Sequence, residues 1–168
     1  NQGSAAFKRI ANVIDQDIQI KNKEDLPDLN ISKSNIKFEN VEFKYLTTKS
    51  KALHNLSLNI VGGSMSAFVG HSGAGKSTII NLLPRFYDPQ NGKILIDGQN
   101  IKEVTLQSLR KNISLVSQDV ILFDDTIKKN ILYAEETASD EDILKACKFA
   151  AAHEFISQMP DGYETLIG

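Results

Sequence analysis

Apolar and polar residues alternate in two stretches early in the chain. One is Ile36–Tyr45, where the phase of the alternation shifts at Glu39–Asn40, and the other is Leu56–Ile60. Alternation predicts half-buried strands, and the phase shift predicts a bulge or a tight turn. Gly62–Gly63 then predicts a turn into a third strand, Met65–Val69. Strands this close together predict an antiparallel layer that leads into a parallel one.

Helices are predicted for four later stretches, which are Lys76–Leu83, Leu106–Lys111, Thr126–Leu132 and Ser139–Phe155. The first ends near Pro84, because proline cannot continue a helix. The last begins at Ser139 with Asp142 three residues further on, a spacing typical of a helix start. Two more strands are predicted, which are Lys93–Ile96 after a turn at Asn91–Gly92, and the buried strand Ile113–Ser117. This mixture predicts an α/β fold.

The N-terminal residues differ from the rest of the chain, because a short amphipathic stretch is followed by a polar one. Asn1–Asp15 carries apolar residues at helical spacing, and Asp17–Ser34 is polar and contains Pro27. The helix either packs on its own domain or links the domain to something upstream. The sequence therefore predicts a linker helix and connector over residues 1–34 and one domain over residues 35–168.

Composition excludes several classes of function. The 168 residues are 41% hydrophobic and 24% charged, with a formal net charge of -2, so no basic field favours nucleic acid as a partner. The one cysteine, Cys147, rules out an internal disulfide and is expected to be a buried, inert thiol. No apolar run reaches the length of about 18 residues that a membrane span needs. The chain begins with Asn1, and we expect it to be a piece of a longer protein.

A phosphate-binding loop is the strongest motif in the chain. Gly70–Ser77 fits the pattern G-x-x-x-x-G-K-[ST], with an apolar stretch before it and an apolar helix after it. The glycines allow the backbone to curl with its N–H groups inward, which forms a cradle for anionic oxygens. Lys76 supplies a positive charge for the β- and γ-phosphates, and Ser77 offers a hydroxyl to Mg²⁺.

Hydrolysis also needs an aspartate that holds Mg²⁺ after a second apolar strand. Asp97 follows Ile94–Ile96, but Gly98 comes next, and Asp97–Gly98 favours a hairpin turn. Asp124 follows the apolar run Val120–Phe123. That run starts just after the predicted strand Ile113–Ser117, and one strand cannot easily continue through both. The run is therefore predicted to be a loop with an exposed or partner-facing apolar patch.

Several motifs in order resemble ATP-binding-cassette (ABC) domains of the exporter type. They are Tyr45 at the end of the first strand, the phosphate loop Gly70–Thr78, Gln118, the stretch from Val116 through Asn130–Ile131, Ala151–Ile156, Pro160–Thr165 and the linker-like Ser4–Ile10. The resemblance covers essentially all 168 residues. It implies a P-loop NTPase core of the ABC type, here incomplete, with an N-terminal antiparallel β layer and the start of a helical subdomain.

The resemblance also implies roles for individual residues. Tyr45 would stack on adenine, and Gln118 would contact Mg²⁺ and sense the γ-phosphate, so that Lys76 and Gln118 are the catalytic candidates and Ser77 and Gln118 the metal candidates. The residues expected to hold the triphosphate of ATP are Gly70, Ser72, Gly73, Ala74, Gly75, Lys76, Ser77 and Thr78.

Partners follow from the same resemblance. Val120–Phe123 would face a transmembrane domain of the same transporter, and a second nucleotide-binding domain would complete the ATP site. The longer protein would lie in a membrane with this part on the cytoplasmic face, and the piece itself would be soluble. Exposed strand edges would also favour self-association.

The family's later motifs are not among these residues. They are a Leu-Ser-Gly-Gly-Gln signature, an apolar strand that ends in Asp-Glu, and a switch histidine. We therefore expect the 168 residues to bind Mg-ATP weakly and to hydrolyse little. Two alternatives remain open: a different P-loop enzyme with Asp124 as the Mg²⁺ ligand, and a non-catalytic module whose Val120–Phe123 loop docks on a membrane partner.

Overall fold

The structure, a computed structural model, describes residues 7, 10–11, 14–15, 20–21, 25–117 and 120–168. It divides into two compact units, Asn1–Leu115 and Val116–Gly168. Of the predicted N-terminal helix, the described residues Phe7, Ile10, Ala11 and Ile14 are helical. In the described part of the chain, no helix combines the length and the apolar character that crossing a bilayer requires.

A four-stranded antiparallel sheet forms the first unit, with the strand order β2-β1-β3-β4. The strands are β1 (Ile36–Phe43), β2 (Leu53–Ile60), β3 (Asn91–Ile96) and β4 (Gln99–Asn100). Every neighbouring pair is antiparallel. The predicted antiparallel layer is therefore confirmed.

The predicted phase shift in the first strand is a β-bulge. Phe38 pairs with Leu58, but Val41 pairs with Leu56, so β1 uses one more residue than β2 between these pairs. Asn40 takes up the extra length with a φ of 50°, and its N–H donates to Ser57 Oγ at 2.9 Å. The bulge lets both Phe38 and Val41 face the core, where each is almost completely buried.

Asp97 and Gly98 form the two-residue turn between β3 and β4, as predicted. Their φ angles are 47° and 80°, and positive φ at both positions is what a type I′ hairpin requires. The Asp97 carboxylate accepts the backbone N–H groups of residues 32–35 at 2.8 to 3.0 Å. This carboxylate therefore has a structural role in tying the N-terminal connector to the sheet.

Two short helices flank the sheet. Helix α1 (Lys76–Leu82) and helix α2 (Leu106–Lys111) agree closely with the predicted bounds. Their buried residues join the sheet in one core, whose most completely buried side chains are Phe38, Val41, Leu82, Ile94, Ile101 and Leu109.

The second unit is a small helical body with its own core. Its elements are β5 (Asp125–Thr126), α3 (Ile127–Leu132), α4 (Asp140–Phe149), α5 (His153–Ser157), a 3₁₀ turn (Gly162–Glu164) and β6 (Leu166–Ile167). The core consists of Ile127, Ile143, Cys147 and Ile156. Cys147 is a buried free thiol, as predicted.

The single helix predicted for Ser139–Phe155 is wrong, because two helices occupy this range. The predicted start is confirmed, since Ser139 and Asp142 exchange the two hydrogen bonds of a capping box. The first helix ends at Phe149, and Ala151 follows with a φ of 53°, which no α-helix accommodates.

Two predicted strands are also wrong. Neither Met65–Val69 nor Ile113–Ser117 is a strand, and Met65, Val69 and Val116 are 100%, 94% and 93% exposed. Apolar runs of this kind are typical of parallel strands buried on both faces. Such a strand forms only with a ladder partner, and no described strand pairs with either segment. The predicted parallel layer is therefore absent from the described residues.

Candidate functional site

The phosphate loop Gly70–Ser77 reaches α1 through two glycines with left-handed backbone angles. Gly73 has a φ of 79° and Gly75 a φ of 85°, which only glycine adopts without strain. Gly75 is also the N-cap of α1. A Cβ atom at this position would lie 2.7 Å from Ala52 O and 2.8 Å from Leu53 Cδ2. The loop therefore requires glycine at position 75 for two independent reasons.

The Lys76 side chain folds back over the loop. Its Nζ atom donates to Gly70 O and to His71 O, at 2.8 Å in each case. The Ala74 N–H donates to His71 O at 3.2 Å and closes a turn inside the loop. The loop thus surrounds one ammonium group, which places a full positive charge next to the start of α1.

The start of α1 supplies backbone N–H donors close to the Lys76 ammonium. The N–H groups of the first helical turn have no partner inside a helix, and they carry the positive end of the helix dipole. Here that turn contains Lys76, Ser77 and Thr78. Ser77 is exposed, as is Ser72 in the loop, whereas Thr78 is buried. The arrangement suits a polyphosphate: several N–H donors, one ammonium and one exposed hydroxyl for a metal ion.

Tyr45 lies next to the phosphate loop. Its hydroxyl donates to Thr78 Oγ1 at 3.1 Å. Its ring is half-buried and makes edge contacts with Phe43 and Tyr87, at centroid distances of 4.7 and 5.2 Å. A cleft of about 400 Å³ opens beside these rings, with Leu46 and Gln90 in its wall. The residue predicted to stack on a base is therefore hydrogen-bonded directly to the predicted phosphate site.

The remaining predicted residues are Gln118 and Asp124. Gln118 lies outside the described residues. Asp124 is exposed and belongs to the second unit. The Thr126 N–H and the Lys129 side chain hold the pKa of Asp125 below its usual range. Among the described residues, no group of three His, Cys, Asp or Glu side chains could hold a metal ion.

The Val120–Phe123 loop is exposed, as predicted from its position after Ile113–Ser117. The exposed fractions of its four side chains run from 47% to 82%. The Asn130 side chain holds the end of this loop, because its amide bonds both the N–H and the carbonyl oxygen of Phe123. The Phe123 ring packs on Tyr133 with a centroid distance of 4.5 Å. The apolar patch is thus fixed in place by its own unit.

Sequence reasoning missed three residues near these sites. They are Tyr87 and Gln90, which contact the Tyr45 region, and Asn130. The first two lie more than 40 positions from the residues that they touch, and no local pattern indicates such contacts. Asn130 was noted only within the stretch that resembles ABC exporters, and its hydrogen bonds to Phe123 were not predicted.

A glycine-rich loop that leads directly into a helix is the local geometry typical of phosphate-loop nucleotide-binding domains. The sequence profile described as "ABC transporter" matches residues 53–166. The chain belongs to the ABC transporter family.

Relatives and solved structures agree with this family. A multidrug export ATP-binding/permease protein of Staphylococcus aureus strain NCTC 8325 is 48% identical over 156 residues, which are 93% of this chain and 27% of that protein. Its counterpart in the bovine strain RF122 is 47% identical over the same length, with the same coverage. The structure of a bacterial Atm1-family ABC exporter with ATP bound is 44% identical, with a TM-score of 0.88 over 99% of this chain and 29% of that chain. The chain thus spans little more than a quarter of the length of these proteins.

Proposed function

We propose that these residues are the ATP-binding part of an ABC exporter, where ATP binding and hydrolysis drive transport across a membrane. The observation that carries this proposal is the phosphate loop, with Gly73 and Gly75 in left-handed conformations and the Lys76 ammonium inside the curl. The exporter relatives support the wider role.

The residues of the loop would divide the work of holding Mg-ATP. The backbone N–H groups of Gly73 and of Gly75 to Thr78 would bind phosphate oxygens, and Lys76 would exchange its two carbonyl partners for the β- and γ-phosphates. Bound Mg²⁺ neutralises phosphate charge, and the exposed Ser77 hydroxyl would be its ligand here, with Gln118 as a second. Tyr45 would stack on the adenine ring.

Hydrolysis by these residues alone is expected to be slow. Phosphoryl transfer to water needs a residue that orients the attacking water and an acid that holds Mg²⁺. Of the two acids considered from sequence, Asp97 does not suit that role, because its carboxylate accepts four backbone N–H groups. Asp124 stays the candidate of the alternative P-loop enzyme. A carboxylate outside these residues, and a second nucleotide-binding domain, would complete the site.

The Val120–Phe123 patch would dock on the transmembrane domain of the same transporter. Its exposed apolar side chains resemble the central part of a protein interface. The ATP-binding part would accordingly lie on the cytoplasmic face of a membrane. A formal net charge of -2 does not favour a nucleic acid as an alternative partner.

A second candidate function is an interaction module whose nucleotide site no longer works. The same patch favours it, because Asn130 holds the Val120–Phe123 loop in an exposed conformation through contacts within its own unit. In this case Val120–Phe123 would bind the partner, and the phosphate loop would be only a structural turn.

Titration with Mg-ATP separates the two functions. We expect saturable binding by calorimetry, and a loss of at least tenfold in affinity for Lys76→Ala, because the ammonium would make charge-assisted hydrogen bonds to the β- and γ-phosphates. Lys111→Ala, at an exposed position of α2, is the matched control and should bind like the wild type. No binding by any of the three proteins would favour the interaction module. Equal binding by all three would refute the assigned role of the loop.

A further inference from the structure

A short segment after α1 returns to the end of β1, and it contacts the base side of the proposed ATP site. We call Arg85–Gln90 the return segment. The Gln90 N–H donates to Glu42 O at 3.0 Å, which attaches the segment beside the last residues of β1. Tyr45 lies just beyond that strand end.

The Gln90 side chain holds the residue before Tyr45 by its backbone. Its Oε1 accepts the Lys44 N–H at 2.7 Å, and its Nε2 donates to Lys44 O at 3.0 Å. The amide thereby satisfies both backbone groups of Lys44, as a neighbouring strand would do. The backbone that carries Tyr45 is therefore fixed at a point where the sheet has already ended.

The Tyr87 ring supports the Tyr45 ring directly. The two centroids are 5.2 Å apart and the planes lie at 86°, the edge-to-face arrangement that aromatic pairs prefer. Tyr87 also packs on Phe43 at 5.5 Å, and Phe43 meets Tyr45 at 4.7 Å. The Tyr45 ring thus has two aromatic neighbours, and its hydroxyl has a third contact in Thr78.

The start of the return segment is held in place by two arginine side chains. Arg85 is only 5% exposed, and its Nε and NH2 atoms donate to the two carboxylate oxygens of Asp88 at 2.9 and 3.1 Å. Arg110 donates to the carbonyl oxygens of Pro84 and Arg85 at 3.0 and 3.1 Å. Bidentate guanidinium pairs of this kind restrict the geometry strongly. The segment can therefore serve as a fixed support.

We propose that Tyr87 and Gln90 are positioning residues for base recognition, which hold the Tyr45 ring in the orientation that stacks on a planar base. This inference rests on the proposed function. It predicts that Tyr87 and Gln90 contribute to the affinity for the base and not to the affinity for the phosphates, because the Tyr87 ring packs on Phe43 and Tyr45 and the Gln90 amide bonds the backbone of Lys44. Preorganisation of this kind strengthens binding by lowering the ordering cost of the contact.

Two ligands distinguish a base contact from a phosphate contact: Mg-ATP and Mg-tripolyphosphate. We expect Tyr87→Ala to weaken the binding of Mg-ATP about three- to tenfold, in line with the worth of one aromatic pair, and to leave tripolyphosphate affinity unchanged. Tyr87→Phe keeps the ring and should bind like the wild type. Gln90→Glu keeps the acceptor for Lys44 N–H, loses the donor, and should weaken only the binding of Mg-ATP.

A double-mutant cycle with Tyr45→Ala tests whether Tyr87 affects the binding of Mg-ATP through the Tyr45 ring. If Tyr87 acts through Tyr45, Tyr87→Ala should cost nothing further in the Tyr45→Ala background. Equal losses for both ligands, or a full additional loss in that background, would overturn the proposal. So would wild-type Mg-ATP affinity in both Tyr87→Ala and Gln90→Glu.

A measurement without nucleotide separates this proposal from the proposed function. The four tyrosines can be labelled with 3-fluorotyrosine and assigned by Tyr→Phe variants. We expect the ¹⁹F resonance of Tyr45 to shift and sharpen in Gln90→Glu, because the ring becomes more mobile. An unchanged Tyr45 resonance would overturn the positioning role. A wild-type protein that binds neither ligand would instead count against the proposed function alone.

Discussion

The hydroxyl of Tyr45 donates a hydrogen bond to Thr78 Oγ1 at 3.1 Å, and this bond connects the end of the first strand with the first turn of α1. Thr78 is 5% exposed, so the bond is shielded from water on one side. Two residues 33 positions apart thereby join the base side and the phosphate side of the candidate site. A change at Tyr45 can therefore act through the ring, through the hydroxyl, or through both.

Variants at Tyr45 should separate these two contributions. We expect Tyr45→Ala to weaken the binding of Mg-ATP about tenfold, because the stacking surface is lost. Tyr45→Phe retains the ring and should bind within about threefold of the wild type, since one neutral hydrogen bond has a small net effect. Calorimetric titration of the three proteins provides the comparison. Equal losses in both variants would show that the hydroxyl, and not the ring, is the important group.

The two left-handed glycines of the loop should differ in their response to alanine. At Gly75 a Cβ atom would meet Ala52 O at 2.7 Å, whereas at Gly73 nothing lies within 4 Å. Gly73→Ala should therefore cost only the backbone strain, about 1 to 2 kcal/mol of unfolding free energy. Gly75→Ala should cost more, because the clash adds to the strain. Urea unfolding measures the loss of unfolding free energy in both variants. An equal or larger loss in Gly73→Ala than in Gly75→Ala would contradict this prediction.

Asn130 should control the order of the apolar loop. Its Oδ1 accepts the Phe123 N–H at 2.8 Å, and its Nδ2 donates to Phe123 O at 3.0 Å. In Asn130→Ala we expect the Phe123 amide proton to exchange about two- to tenfold faster, the effect of one lost hydrogen bond. Asn130→Asp keeps the acceptor but loses the donor to the carbonyl oxygens of Phe123, Asp125 and Thr126, so it should preserve only part of the protection of this proton.

Hydrogen exchange followed by NMR resolves this single amide. Asn112→Ala is the control, because Asn112 Nδ2 donates to Ser108 O in the first unit. It should leave the Phe123 amide unchanged. Unaltered exchange in Asn130→Ala would mean that the loop is held by other contacts, such as the Phe123–Tyr133 ring pair.

The local sequence pattern predicts the elements whose sequence signal is local. The alternation in β1 and β2, the Asp97–Gly98 turn and the Ser139–Asp142 capping box are each indicated by residues a few positions apart, and each is confirmed. The break at Ala151 was missed because alanine is a strong helix former, and tertiary packing overrides that preference. Met65–Val69 was wrong because a parallel strand needs partners that its own sequence does not specify.

In the candidate site, too, the contiguous motif was predictable from the sequence, whereas the contacts between residues distant in the sequence were not. The phosphate loop was predictable because eight consecutive residues define it. The support of Tyr45 by Gln90, through Lys44, was not predictable, since 46 positions separate the two ends of the contact. No helical or strand periodicity in the sequence around Gln90 indicates this contact with Lys44.

Asp97 should make the first unit sensitive to acid. Hydrogen bonds from the backbone N–H groups of Ser32 and Lys33 in the first place, and of Ser34 and Asn35, hold the pKa of this carboxyl well below its usual range. Because the pKa is lower in the folded state, the ionised carboxylate stabilises the fold at neutral pH. This contribution is lost as the pH falls below about 4, the pKa of an unfolded aspartate.

Thermal unfolding at pH 6 and pH 3 measures this effect. In Asp97→Asn we expect a lower melting temperature at pH 6 and a smaller further drop at pH 3, because the titrating group is gone. Asp161→Asn, at an exposed position of the second unit, should keep the wild-type drop. An Asp97→Asn variant with the full wild-type drop would show that other carboxyl groups cause the acid sensitivity.

The exposed apolar side chains of Met65, Val69 and Val116 should make this chain self-associate. Val69 and Val116 are 94% and 93% exposed, in segments whose composition favours strands. Exposed segments of this kind pair with other chains, so light scattering should find dimers or larger species at micromolar concentration. Val116→Lys should reduce this association, because a charge at a strand edge opposes pairing. Phe149→Lys removes an equally exposed side chain, 96%, from the end of a helix and should leave the association unchanged. A wild-type monomer, or equal effects of the two variants, would show that these segments are not the surface that associates.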